Sequence, residues 1–189
     1  MDQKRRCPWV NLKNPKYIAY HDEEWGVPVH DDAQLFAKLT LDSFQSGLSW
    51  EIVLNKRDGF LAAFDNFDPE KVAGYDEGKI ADLLQDAGII RNRAKIMAAV
   101  NNARAYLQLG GGHGKFSALL WSFVGGETID HHIRSEADYL ATSPESDAMS
   151  KALKELGFKF VGSTVCFAFM QAVGMYNDHI DYCFRREQV

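Results

Sequence analysis

Cysteine is scarce in this chain, with three among 189 residues. That excludes a disulfide-stapled scaffold, and thiols so few suit a reducing compartment, where a metal is a better partner for them than a crosslink. Long apolar runs are missing too. The longest, Val161 to Met175, is interrupted by Gly162, Ser163, Thr164, Gln171 and Gly174, and is too short and too polar to cross a bilayer. Nor is there an excess of positive charge. With 26 acidic and 21 basic residues the net charge is −5, which argues against a large phosphate-neutralising surface. No segment alternates apolar and polar residues with period two for long, so strands are expected to be minor at most. The basic start Met1-Asp2-Gln3-Lys4-Arg5-Arg6 runs straight into Cys7-Pro8-Trp9, without the apolar stretch of a signal peptide. A cytoplasmic protein with no membrane partner is expected.

What is present is ordinary globular composition, 46% hydrophobic and 25% charged, enough for a sizeable core. Helix punctuation recurs. Asp68-Pro69 and Ser143-Pro144 each read as an N-cap followed by proline at the first helical position, and Gly157 would end the second of these helices. Asp31 or Asp32 can cap a helix carrying Leu35, Phe36 and Leu39, and Ser163 can cap the apolar helix around Cys166 and Phe169. The reading is a single all-α domain over residues 1–189, without repeats or linkers. Gly110 to Lys115 resembles a phosphate loop only superficially, because Leu109 and Phe116 stand where a Walker motif needs Gly and Ser or Thr.

Charge is unevenly spread. Between Gly88 and Arg104 lie Arg91, Arg93, Lys95 and Arg104 and no acid, so one basic face on an acidic protein is expected, although solvated helix faces also look like this. Gly88 to Asn92 separates helices expected at 79–85 and 93–109. A tight turn there would point free N–H groups of the second helix outward beside Arg91 and Arg93, a ready phosphate site. A helix-hairpin-helix element grips DNA backbone in this way, without reading sequence. A plain helical hairpin is the alternative.

Two cysteines sit beside histidines at opposite ends of the chain, Cys7 with His21 and His179 with Cys183. If His179 and Cys183 share a helix face, the four residues make a closed tetrahedral zinc shell with no position for a substrate water. Alternatively each is a satisfied core residue, as Cys166 in its apolar stretch is expected to be. Aromatic residues crowd the first fifty positions, among them Trp9, Tyr17, Tyr20, Trp25 and Trp50, and such residues usually serve a core. Asp42 follows Leu35 and Leu39 at helical spacing, on the apolar face, where carboxylates are rare unless paired or functional. The alternative is an exposed i,i+4 pair with Lys38. Gly47-Leu48, just beyond, is either a helix C-terminal turn or an apolar wedge for a base stack.

Together these stretches resemble a known family. Tyr20-His21-Asp22-Glu23-Glu24-Trp25-Gly26-Val27-Pro28, Gln45 to Trp50, Asp86-Ala87-Gly88-Ile89-Ile90-Arg91, Gly157 to Gly162 and Asn177-Asp178-His179 are similar to bacterial DNA-3-methyladenine glycosylase I, from about Cys7 to Cys183. The resemblance implies an all-helical helix-hairpin-helix glycosylase that flips an N3-alkylated adenine from duplex DNA and hydrolyses its N-glycosidic bond in base excision repair. It implies a structural Zn²⁺ on Cys7, His21, His179 and Cys183 joining the termini, and a base pocket of Trp9, Tyr17, Tyr20 and Trp50. It also implies a DNA-inserting tip at Gly47 and Leu48, DNA-backbone contacts at Gly88, Arg91 and Arg93, and a monomer acting on alkylated double-stranded DNA. The family pattern Leu-Glu-Gly-Gln-Gln reads here Leu41-Asp42-Ser43-Phe44-Gln45. Asp42 therefore takes the pocket position of a glutamate, with a side chain shorter by about 1.5 Å, and Phe44 adds bulk nearby. Recognition of the base and electrostatic support of the sugar fall to Asp42. Its substitution leaves two alternatives open: a related glycosylase of altered lesion preference, or a zinc-stapled lesion-binding module without catalysis.

Overall fold

The structure, a computed structural model, describes residues 4–189. The first three residues of the basic N-terminal stretch lie outside them. Helices dominate, and the order is α1 (Pro15–Ala19), α2 (Asp32–Gln45), α3 (Trp50–Asn55), α4 (Arg57–Ala63), α5 (Pro69–Ala73), α6 (Glu77–Gln85), α7 (Arg93–Gln108), α8 (Lys115–Ser122), α9 (Pro144–Glu155) and α10 (Ser163–Ala172). Two short strands, β1 (Ile129–Asp130) and β2 (Tyr176–Asn177), pair in parallel. No described helix is long and apolar enough to cross a membrane.

The helix starts follow from local chemistry. The Asp31 carboxylate accepts from Gln34 N at 2.9 Å and opens α2, Asp68 accepts from Glu70 N and Lys71 N before Pro69, and Ser143 forms a capping box with Ser146 ahead of Pro144. Each satisfies amides that the first turn leaves without a partner. α10 departs from expectation. Ser163 is its first residue, and Gly162, extended at φ −66° and ψ 161°, occupies the cap with no side-chain bond.

α2 is the axis of the molecule. Leu35, Phe36 and Leu39 fall on one buried stripe, as 3.6-residue periodicity requires, Phe44 is buried on another side of the helix, and α2 packs against α3, α7, α8 and α10. Asp32 is buried at its start and accepts from Gly112 N at 2.8 Å and Ser117 N at 2.7 Å. The amides of the glycine-rich 110–115 connection that a phosphate would need are thereby partly occupied by a carboxylate, which agrees with its reading as a connection.

Apolar burial divides in two. A large cluster runs from Leu35 through Phe60, Phe64 and Ile96 to Met170, and a smaller one gathers Cys7, Val10, Tyr20, Trp25, Leu54, Ile133, Ala172, Ile180 and Cys183. Trp50 packs against both. Cys166 is fully buried in the large cluster, as its sequence surroundings imply.

Candidate active site

The seam between the two clusters opens as a pocket of about 260 Å³ lined by Trp9, Tyr17, Tyr20, Trp25, Lys38, Asp42, Gln45, Trp50, Tyr139, Leu140, Ala168 and Gln171. The five pocket residues named from the sequence, Trp9, Tyr17, Tyr20, Asp42 and Trp50, meet here. Tyr20 and Trp50 lie 5.1 Å apart between ring centroids, and Trp9 stands 5.6 Å from Tyr17. The volume is just below the range of roughly 300–1,000 Å³ usual for ligand pockets, and suits a flat ring system.

Asp42 is buried in this wall at 2% exposure. Its Oδ1 takes an ion pair from Lys38, one helical turn earlier, while its Oδ2 has no hydrogen-bond partner. The pairing with Lys38 weighed from the sequence is real, but it lies inside the pocket and not on the surface. Burial pushes the Asp42 carboxyl up and pulls the Lys38 amine down, and each opposes the other's shift by its charge. Trp50 Nε1 is a second buried polar atom without a partner. An acceptor and a donor without partners, on two side chains that line one aromatic pocket, suit a flat ligand with polar edges.

Phe44 does not crowd this site. Its ring is buried away from the pocket against Phe60 at 4.7 Å and Phe64 at 5.6 Å, because successive helix residues are rotated by about 100° and a position two after Asp42 faces the opposite side of α2.

The tip follows α2. Gly47 takes φ +79°, with open space where a Cβ would stand, and Leu48 is 37% exposed. A cleft of about 150 Å³ joins Gly47 and Leu48 to Asp42, Gln45 and Ala168, so the tip borders the mouth of the pocket. Lys95 anchors it. This side chain is buried and donates to Phe44 O at 2.9 Å and Ser46 O at 2.5 Å, the carbonyls at the end of α2.

Lys95 also corrects the expected basic face. Of the four cations between 88 and 104, Lys95 points inward, Arg104 donates to Ala73 O at the end of α5, and Arg93 pairs with Glu77 at 2.5 Å. Arg91 remains exposed on the turn. The turn itself is tight: Gly88 N donates to Asp86 Oδ1 at 2.6 Å, and a Cβ on Gly59 would stand 2.5 Å from Gly88 O. Gly59 and Gly88 therefore bring α4 against the α6–α7 connection.

Cys7, His21, His179 and Cys183 converge, their ligand atoms all within 4.8 Å of one another and all four residues buried. The sulfur–nitrogen separations, Cys7 to His179 Nδ1 3.5 Å, Cys183 to His21 Nε2 3.4 Å and Cys183 to His179 Nδ1 3.4 Å, match the roughly 3.5 Å that tetrahedral bond lengths of about 2.3 and 2.0 Å would give. The outward nitrogens are satisfied as ligand histidines need: His21 Nδ1 faces Asp22 Oδ1 at 2.8 Å, and His179 Nε2 faces Trp25 O at 3.2 Å. The donor set could hold a metal ion. His179 and Cys183 do not share a helix, however. They follow β2 in irregular backbone, where Asn177 Oδ1 accepts from His179 N and Cys183 N donates to Ile180 O at 2.7 Å, and this turn, not helical spacing, aligns them.

Sequence reasoning missed several groups. Tyr139, Leu140 and Gln171 enter the pocket from segments with no motif of their own, and Gln171 is held by the buried Asp178, 2.7 Å from its Nε2, which also faces His131 Nδ1 at 2.7 Å. The apolar setting of Gln171 was a signal of the kind that singled out Asp42. Trp25 packs on His179 at 4.6 Å and Trp9 on His21 at 5.3 Å, so the cluster backs the pocket wall.

Comparison with known proteins is consistent along nearly the whole chain. The family described as methyladenine glycosylase matches residues 9–186. A DNA-3-methyladenine glycosylase 1 of Escherichia coli is 49% identical over 178 residues, covering 94% of this chain and 95% of the relative. A DNA-3-methyladenine glycosylase of Haemophilus influenzae is 44% identical, covering 94% and 96%. Among solved structures, a 3-methyladenine DNA glycosylase I superposes with a TM-score of 0.91 at 48% identity, covering 95% of this chain and 98% of that one. The Staphylococcus aureus enzyme, in a structure described as the basis of 3-methyladenine recognition, does so with 0.89 at 38% identity, covering 93% of each.

Proposed function

Because the chain belongs to the methyladenine glycosylase family, we infer that the pocket over Asp42 and Trp50 receives the damaged base. The protein is a DNA-3-methyladenine glycosylase, a hydrolase that cuts the N-glycosidic bond of an alkylated base in DNA. The single observation that carries the assignment of the pocket is Asp42 Oδ2, a buried acceptor without a partner on a residue that lines an aromatic cavity.

Methylation at N3 makes adenine cationic and therefore a good leaving group. Electron-rich rings at Trp50, Tyr20 and Trp9 favour that cation, and Asp42 accepts from its exocyclic amine while offsetting positive charge that develops on the sugar. Water adds to the anomeric carbon as the cationic base departs, neutral, with the bonding electrons, and the proton that this water loses passes to solvent. Extruding the base costs a few kcal/mol of stacking, least for a damaged one, and Leu48 at the Gly47 tip fills the gap it leaves. The α6–α7 turn, with Gly88, Arg91 and Arg93, serves as the helix-hairpin-helix contact to the DNA backbone. The protein acts as a monomer, in the cytoplasm, as one folded unit.

Zinc suits the Cys7, His21, His179 and Cys183 set, because two thiolates and two imidazoles fill a tetrahedral shell. With no open position the ion would hold the two terminal segments together behind the pocket. Neither alternative, altered lesion preference or lesion binding without catalysis, is favoured.

A base-release assay on methylated duplex DNA tests this reading. Asp42→Asn is expected to slow 3-methyladenine release about 100-fold, the order of one charged transition-state contact, while Asp42→Glu, which keeps the charge, stays within about tenfold of the parent. Equal rates for all three proteins would remove Asp42 from the pocket chemistry.

A further inference from the structure

One basic side chain inside the pocket is unused by the mechanism above. Lys38 is largely buried, with 18% of its side chain exposed, and is ion-paired to Asp42. Its Nζ stands 4.1 Å from the ring centroid of Trp50 and 5.8 Å from that of Tyr20. The ammonium therefore sits on the π face that a cationic base would use and pairs with one oxygen of the carboxylate, Oδ1, while Oδ2 keeps no partner. A like charge so close opposes a second cation unless it can move away.

The structure provides somewhere for it to go. A second cavity, of about 370 Å³, lies across Lys38 and Tyr20 and is bordered by Glu23, Glu24 and Arg57. Lys38 lines both cavities, its four-carbon stem is flexible, and the far side carries carboxylates, of which Glu24 already pairs with Arg57 at 2.6 Å. Rotation of the stem would exchange Asp42 and Trp50 for a rim that carries Glu23 and Glu24 beside Arg57.

We propose that Lys38 is a specificity-determining residue: a built-in cation on the Trp50 face and Asp42 Oδ1 that any base must displace, and whose charge weighs more against a cationic base than against a neutral one. A neutral base meets only the cost of moving the ammonium aside. A cationic N3-alkylated adenine meets that cost and, besides, the repulsion of a like charge that stays nearby. This rests on the pocket being the base site, as argued above.

The test is binding of two small probes to the intact protein by calorimetry, the permanently cationic 3,9-dimethyladeninium and the neutral 9-methyladenine, for the parent, Lys38→Met and Lys38→Arg. Lys38→Met is expected to bind the cation at least about tenfold more tightly than the parent does, and the neutral base only a few-fold more tightly. Lys38→Arg, which keeps the charge, is expected to retain the parent's values. The proposal is overturned if Lys38→Met binds the cation no better than the parent, if both probes gain equally, or if Lys38→Arg gains as Lys38→Met does. Melting curves and 3-methyladenine release from methylated duplex are measured alongside. A well-folded parent that releases no base would sink the base-site reading, whereas release with unaltered probe selectivity in Lys38→Met would sink only the role of Lys38.

Discussion

Around α2, the rings of Phe44, Phe60, Phe64 and Phe67 pack at centroid separations of 4.7 to 6.5 Å, held by burial alone. The region built from residues 7–25 and 177–183 has little regular structure: the five-residue α1, a π-helical turn over Tyr20–Glu24, and irregular backbone after β2. At its centre are two thiols and two imidazoles with their outward nitrogens bonded. The contrast teaches that the pocket has one wall whose shape comes from helix packing and another whose shape depends on polar groups. The two sulfurs of that second wall are tied to each other: the hydrogen bond from the Cys7 thiol holds the Cys183 thiol well below its ordinary value, and the same bond pushes Cys7 up.

The largest effect is expected from breaking the polar wall. Metal analysis is expected to find one zinc per chain, and Cys183→Ala is expected to cost more stability than any single core truncation, because metal binding in closed sites is folding energy of order 10 kcal/mol. Urea titration with and without a strong chelator measures it, and a parent protein indifferent to chelation would erase the difference between the two regions. Phe64→Ala comes next, at about 3–5 kcal/mol for a large buried ring. Its loss is expected to be unchanged by chelator, and a chelator-dependent loss would show that the regions are coupled.

Arg91→Ala is expected to be smaller and of another kind. It leaves both walls intact, weakens binding to all duplex sequences alike, and reduces the magnitude of the salt slope by about one. Titrations at two or more salt concentrations decide it, and an unaltered slope would make the α6–α7 turn purely structural. The smallest effect concerns His131, which faces the Asp178 carboxylate that holds Gln171. That hydrogen bond raises the His131 pKa above its ordinary value, against the opposing effect of burial. A raised folded-state pKa gives stability that is complete below the unfolded value and disappears as pH climbs through the folded one. Melting temperature is therefore expected to fall slightly as pH rises above the ordinary histidine value of about 6.5, and His131→Asn to flatten that part of the profile. An identical profile in the variant would remove the pair from the account.

Much of the helical frame was legible because its signals are local. Asp31, Asp68 and Ser143 bond amides two or three residues away, and Leu35, Phe36 and Leu39 recur at helical spacing, so neither needs the rest of the chain. The ligand chemistry of Cys7, His21, His179 and Cys183 was legible as a set of residue types, but its geometry was not, since a helix was the nearest local rule for a spacing of four and a turn after β2 does the work instead.

What the sequence by itself determined, then, is where helices start, which face of α2 is apolar, and which side chains are available for metal and base. Only the tertiary structure decided which polar groups lose their water. Lys38 and Asp42, which spacing allows either as an exposed pair or with Asp42 on the apolar face, are buried because α10 and the aromatic segment close over α2. Lys95, one of four cations in an acid-free stretch, turns inward to carbonyls some 50 residues earlier. Phe44, two positions from Asp42, faces the opposite side of the helix. Burial is a property of contacts between distant segments, so the difference between a solvated ion pair and a specificity element enters only when those segments meet.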